Sequence, residues 1–306
     1  MTDEAVSMGE RLEYAVVMAV LGVLRLLPYR LRVRLAGRVM VWLSGPLGLR
    51  RRVRANLALV QPDLASDTVA ALERAVPDTI GRVFAEVFSP EGLAAQARGA
   101  PITGDGAEAL ERARRAGRPV IVVSGHIGNY DAFRTALILE GHRVGALYRP
   151  FNNRLFDRRY RAAMEANGGV LFARGQQGMA DMVRHLRGGG VLAILIDQHM
   201  DQGAPLRFFG KTAMTATSVA DLALKYDAEL LPVYGIRRPD GIGFDLIAEA
   251  PVAHSDPLTM TQALNDSLER QVRAHMGQWI WTHRRWKAPR NRLGRGAARG
   301  NRPGAG

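Results

Sequence analysis

Between residues 119 and 236 the chain repeats one pattern, a short and almost unbroken apolar run followed by a segment of helix length. The apolar runs are residues 119–124 (PVIVVS), 143–148, 170–172, 191–196 and 230–236. Helical stretches at 130–140, 153–167 and 217–226, and one ending at Arg187, lie between them. Runs without polar alternation suit strands buried on both faces, the condition of a parallel sheet with helices on each side. The expected fold is therefore α/β, a mostly parallel sheet flanked by helices. Residues 244–248 read as a further strand pairing with 230–236, and residues 66–88 and 259–276 as helices. No internal repeat is visible.

The segment before this core has a different character. Residues 14–27 (YAVVMAVLGVLRLL) are apolar, yet fall short of the roughly 20 residues that span a bilayer. Residues 29–43 then set Arg30, Arg32, Arg34 and Arg38 among Leu31, Val33, Leu35, Val39 and Trp42. Residues 14–58 hold nine arginines and no acidic residue, and residues 284–306 hold eight basic residues and no acidic one. The net charge of +13 thus comes from the two ends, and the body is slightly acidic. Positive charge beside the most apolar segment favours a lipid surface over nucleic acid. The expectation is an N-terminal membrane-anchoring helix followed by a basic amphipathic helix at the surface, with the body on the cytoplasmic side. Acidic residues at 3, 4, 10 and 13 argue against a secretory signal. The chain divides on this reading into an anchor (1–45), a main α/β domain (46–287) and a disordered basic tail (288–306).

The absence of cysteine excludes disulfides, thiolate nucleophiles and Cys-ligated metals. Neither Gly-x-Ser-x-Gly nor a phosphate-binding Gly-x-x-x-x-Gly-Lys is present. Asp197-Gln198-His199 lacks the further ligands of a metal site, so no metal is expected. What remains is a corner: the strand 119–124 runs into Ser124-Gly125-His126 and turns at Gly128-Asn129 into a helix. Ligands sit at the carboxyl ends of parallel strands, which puts His126 on the functional rim. Asn129 is a candidate N-cap, and Asp131 then lies in the first helical turn. Across such a corner residues five apart can converge, so Asp131 is the expected partner that orients His126 as a general base. The pattern His-x4-Asp is weak taken alone. Arg149 and the pair Asp197-Gln198 close later strands and are expected on the same rim, with Asp197 beside Arg149. Arg154, Arg158 and Arg161 share one face of the helix that follows.

In order along the chain, Gly125-His126-Ile127-Gly128-Asn129-Tyr130-Asp131, Tyr148-Arg149-Pro150 with Asn152-Asn153, Asp197-Gln198, Phe208-Phe209-Gly210 and the segment Trp279 to Lys287 (WIWTHRRWK) form a specific set. With this set the sequence resembles the bacterial lipid A biosynthesis acyltransferases, which add lauroyl or myristoyl chains. The resemblance implies a glycerolipid-acyltransferase-like fold, an acyl carrier protein thioester as donor, a lipid A precursor as acceptor, and a site on the cytoplasmic face of the inner membrane. It implies no cofactor, and a monomer is expected. His126 and Asp131 would be catalytic. Asn129, Arg149, Asp197, Gln198 and Arg158 would contact substrate. Arg149 and the N–H groups of the Gly128-Asn129 turn would hold the oxyanion or a phosphate. Many members carry Glu where this chain has Asp131. The Gly-Asn-aromatic-Asp form also resembles phosphatidylinositol mannoside acyltransferases, which leaves a second class of acceptor open. A lipid hydrolase using the same dyad on water, and a non-catalytic binding protein using the basic ends, are the other readings.

Overall fold

A computed structural model describes residues 6–287, so the basic tail expected at 288–306 lies outside the described residues. The first four helices are α1 (Met8–Arg25), α2 (Tyr29–Leu43), α3 (Leu49–Val60) and α4 (Ser66–Val87), followed by α5 (Pro90–Ala97). The α/β region comprises β1 (Ile102–Thr103), α6 (Gly106–Arg115), β2 (Val120–Ser124), α7 (Tyr130–Leu139), β3 (Val144–Tyr148), α8 (Arg154–Glu165), β4 (Val170–Ala173), α9 (Gln176–Arg187) and β5 (Val191–Leu195). A hairpin of β6 (Ala204–Phe208) and β7 (Lys211–Thr215) leads to α10 (Ser218–Tyr226), β8 (Glu229–Arg237), β9 (Phe244–Ala248) and α11 (Pro257–Ala274).

Seven strands form one sheet in the order β1-β9-β8-β2-β5-β3-β4, parallel except where β9 runs antiparallel to β8. The mostly parallel α/β sheet expected from the apolar runs is the sheet that forms. All five residues of β2 are buried, as a central strand covered on both faces requires. Apolar clusters flank it, one with Phe133, Leu137 and Leu231, the other with Ile121, Met182 and Leu264.

The N-terminal helices differ from the expected anchor. Among the described residues, no helix is long and apolar enough to cross a membrane. Instead α1 is two-sided. Leu21 packs inward with Val87, Phe88 and Met164, while Met8, Leu12, Val16, Val20 and Val23 face outward. That outward spacing of three and four is one helical stripe. In α2, Leu31, Leu35, Val39 and Trp42 form a second outward stripe, and Trp42 is 77% exposed. The inward side of α2 lies so close to α4 that a Cβ on Gly81 would come within 2.4 Å of the Ala36 carbonyl oxygen.

Candidate active site

β2 and β5 are neighbours in register, with Ser124 opposite Leu195. Two residues further along each strand, the same register sets His126 beside Asp197. Their contact is close. The His126 backbone N–H donates to Asp197 Oδ2 (2.6 Å), and His126 Nδ1 lies 2.7 Å from Oδ1. Trp279 Nε1 donates to Oδ2 as well (2.9 Å). Gly125 makes room, since a Cβ there would sit 2.9 Å from Asp197 Oδ2 and 2.7 Å from Leu268.

Electrostatics settles the protons. Burial alone would raise the Asp197 pKa, but the neighbouring imidazole and three hydrogen-bond donors outweigh it and hold the carboxyl at about 2. An ionised Asp197 accepts, so Nδ1–H of His126 donates and Nε2 keeps the lone pair. Burial would lower the His126 pKa, and the charge and hydrogen bond of Asp197 outweigh that too, leaving it raised. The imidazole retains 23% of its side-chain surface, whereas Asp197 has none exposed.

This geometry corrects the expected pairing. Asp131 is not the partner of His126 Nδ1. It accepts from Arg134 Nε at 2.5 Å, and both side chains are buried. Arg134 also donates to the Met164 carbonyl, which ties α7 to α8. The physical reason is direction: from the first turn of α7 the Asp131 carboxylate points along its own helix to the residue three positions on. Asn129 caps α7 as expected, its Oδ1 accepting from the N–H groups of Asp131 and Ala132. Its other polar group donates to Glu86 Oε2 (2.7 Å) and it has no exposed surface, so the substrate contact expected of it gives way to an internal one. The turn N–H groups expected to hold an oxyanion are also occupied. Gly128 N–H donates to Gln278 O (3.0 Å) and Asn129 N–H to Gly235 O (2.8 Å). Gly128 has φ 56° and lies so near β8 that a Cβ would be 2.1 Å from Gly235 O.

His126 opens onto a cavity of about 740 Å³. Its lining is mainly apolar, with Phe84, Phe88, Phe156, Met164, Leu171 and Ile194 among the walls. Asp131, Arg134, Tyr130 and Tyr160 add polar groups to it. Arg149 and Gln198 are exposed and line the same cavity, as does Arg174, which no sequence motif marked. Arg149 reaches Asn152 Oδ1 at 3.4 Å rather than Asp197. Arg158 is exposed on α8 and does not line the cavity. Among the described residues no group of three His, Asp or Glu is placed to hold a metal.

Trp279 is a site residue with no role assigned from sequence. It follows the short 3-10 helix Met276–Gln278 and pairs with Ile127 in an isolated bridge, while Ile280 N–H donates to His126 O (3.1 Å). The segment that follows packs Trp281 and Trp286 with Phe208 and Phe209. The available signal is the density of tryptophan among basic residues in WIWTHRRWK, which marks the segment as unusual and names no partner.

Fold and site together define an α/β enzyme with a histidine–carboxylate pair at the edge of an apolar cavity. The chain belongs to the bacterial lipid A biosynthesis acyltransferase family, whose model matches residues 4–288, and it is an acyltransferase. It is 26% identical over 270 residues to a lipid A biosynthesis acyltransferase of Haemophilus influenzae, covering 84% of this chain and 82% of the relative. It is 24% identical over 259 residues to a phosphatidylinositol mannoside acyltransferase of Mycobacterium tuberculosis, covering 80% of this chain and 78% of the relative.

Proposed function

We propose that the protein transfers a fatty acyl chain from an acyl carrier protein thioester to a hydroxyl of a lipid A precursor, with His126 as general base. The observation that carries this reading is His126, backed by the buried Asp197 and facing an apolar cavity. Neutral His126 takes the proton of the acceptor hydroxyl at Nε2 as that oxygen attacks the thioester carbonyl. The C–S bond then breaks, and the imidazolium returns the proton to the leaving thiolate. Asp197 holds the ring in the tautomer that leaves Nε2 free and stabilises the imidazolium. The volume suits a small-molecule pocket, for which about 300–1,000 Å³ is usual, and its walls suit a hydrocarbon. Arg149, exposed in the cavity lining, would hold a phosphate or the developing oxyanion. Asp131, with Arg134, shapes the wall that the substrate meets.

Membrane attachment is the second element of the reading. The outward stripes of α1 and α2, with Arg30, Arg34 and Arg38 exposed beside them, have the make-up of helices lying in a lipid interface. The protein would sit on the cytoplasmic face of the inner membrane without crossing it.

Purified protein, given acyl-carrier-protein thioester and a lipid A precursor, should yield a product heavier by one acyl group in mass spectrometry. Free fatty acid with no acylated product would sink the reading in favour of a hydrolase. Preference for a phosphatidylinositol mannoside would keep the chemistry and change the acceptor. Flotation with anionic vesicles should carry the wild type upward and leave Leu12→Asp/Val16→Asp/Trp42→Asp below, because these charges enter the outward stripes; equal flotation would overturn the interfacial arrangement.

A further inference from the structure

The turn at residues 126–131 is fixed from three sides. Gln278 accepts from Gly128 N–H and Gly235 from Asn129 N–H, and the third support comes from α4. Glu86, near the end of that helix, has no exposed surface. Arg237 at the end of β8 grips it with two parallel bonds, Nη1 to Oε1 (2.5 Å) and Nη2 to Oε2 (2.6 Å), and the guanidinium lies 5.0 Å from the Phe244 ring. A lone buried carboxylate would be prohibitive, and the bidentate arginine neutralises it. Oε2 then accepts a further bond, from Asn129 Nδ2 at 2.7 Å.

That bond decides which way the Asn129 amide faces. With Nδ2 on Glu86, Oδ1 must face the Asp131 and Ala132 N–H groups, at 2.9 and 3.2 Å. The flipped amide would set a carbonyl against the carboxylate and an NH2 against two N–H donors. We propose that Glu86 is a positioning residue for acyl transfer. It fixes Asn129, which pins the first turn of α7 and with it the placement of Asp131 and of the loop carrying His126. The inference rests on the acyl-transfer reading above. Nothing in the sequence between residues 66 and 88 marks Glu86 among the acidic residues of that segment, because its partners lie 43 and 151 positions away.

Two variants test it. Asn129→Ser keeps a hydroxyl to cap α7 and loses only the donor to Glu86. Glu86→Leu/Arg237→Met removes the buried pair together, so no charge is left alone, a replacement that cores often accept. For both, kcat, KM and thermal unfolding are measured, with amide exchange over residues 129–132. The expected result is a folded protein with kcat lower by about ten- to a hundredfold and KM nearly unchanged. Combining the two sets should cost no more than the larger effect alone, because both act through one bond. Exchange at the turn should rise when the pair is removed. Wild-type kcat in Asn129→Ser, or full additivity in the combination, overturns the proposal. So does unchanged exchange in the folded pair variant, a result that does not depend on activity. A wild type that transfers no acyl group is a separate failure, of the reading on which the inference rests.

Discussion

Two buried carboxylates lie close to the same cavity, Asp131 in its lining and Asp197 behind His126, and their partners differ. Asp197 has an imidazole as its partner, is fully buried and accepts three hydrogen bonds. Asp131 has a guanidinium as its partner, equally buried, three residues along its own helix. A guanidinium keeps its charge at any working pH, so Asp131–Arg134 is a fixed ion pair. An imidazole changes charge near neutrality, so Asp197–His126 is a device that can take up and return a proton. What separates a structural pair from a chemical one is the partner and not the carboxylate.

The largest effect should come from the titratable member. His126→Ala removes the base and should lower turnover by at least about a thousandfold. The variant should still fold, because the backbone N–H of residue 126 and Trp279 Nε1 continue to donate to Asp197, but it should lose some thermal stability with the imidazole donor. Retained turnover in a folded His126→Ala would dissolve the comparison, because then neither pair would be chemical.

Asp197→Asn comes next, at about a hundred- to a thousandfold in kcat, and it carries a pH signature. The base must be neutral, and the His126 pKa is raised by Asp197, so the wild-type rate should climb with pH to a midpoint above about 6.5, the ordinary imidazole value. Removing the carboxylate's charge removes the cause of the rise, so the midpoint should move to lower pH even as the plateau falls. An unmoved midpoint would show that some other group sets it.

Asp131→Asn should do less to the rate and more to the fold. It leaves the buried Arg134 without its counter-charge, which costs about 3–5 kcal/mol for a broken buried pair. Asp131→Leu/Arg134→Met should regain most of that stability, as denaturant unfolding would show, and the pH midpoint should stay where the wild type has it. If Asp131→Asn instead moved that midpoint, Asp131 and not Asp197 would be the carboxylate that sets the charge of His126.

Most of the sheet is legible in the sequence, and the reason is local. Short apolar runs rich in β-branched residues and bounded by turn signals, such as VIVVS and VLAIL, mark buried strands from the local pattern. The hairpin β6–β7 is not legible, because its short strands, APLRF and KTAMT, mix polar and apolar residues and surround a Phe209-Gly210 turn in which both residues have positive φ. Nor do the helices at 49–60, 90–97 and 106–115 stand out, the last rich in Arg and Glu. Partner choice at the site depends on strand order, which no local pattern reports. β2 lies beside β5 rather than beside β3, and only that order brings Asp197 to His126. Asp131 stands five residues from His126 across a corner where the two could converge, but its carboxylate is taken up by Arg134 on its own helix.

The smallest effect is expected outside both pairs, on α8. The spacing of Arg154, Arg158 and Arg161 predicts one basic face for an acidic carrier protein, and the structure divides them. Arg161 is tied to Glu165 at 3.1 Å, so its charge is largely balanced within the helix. Arg158 is exposed with no acidic neighbour of that kind among the described ion pairs, and it is the residue best able to meet a carrier. Exposed charges steer encounter more than they hold a complex, and salt screens them. Arg158→Glu should therefore raise KM for acyl carrier protein by only a few-fold, within the range of about 0.2–1 kcal/mol for an exposed pair. Arg161→Glu should raise it less. Neither should change kcat or the pH midpoint, because neither touches His126, Asp197, Asp131 or Arg134. Added salt should bring the wild type toward the variant, as steady-state kinetics at two ionic strengths would show. A change in kcat with KM unaltered would mean that α8 acts on the cavity wall through Phe156 and Met164, and that the carrier docks elsewhere.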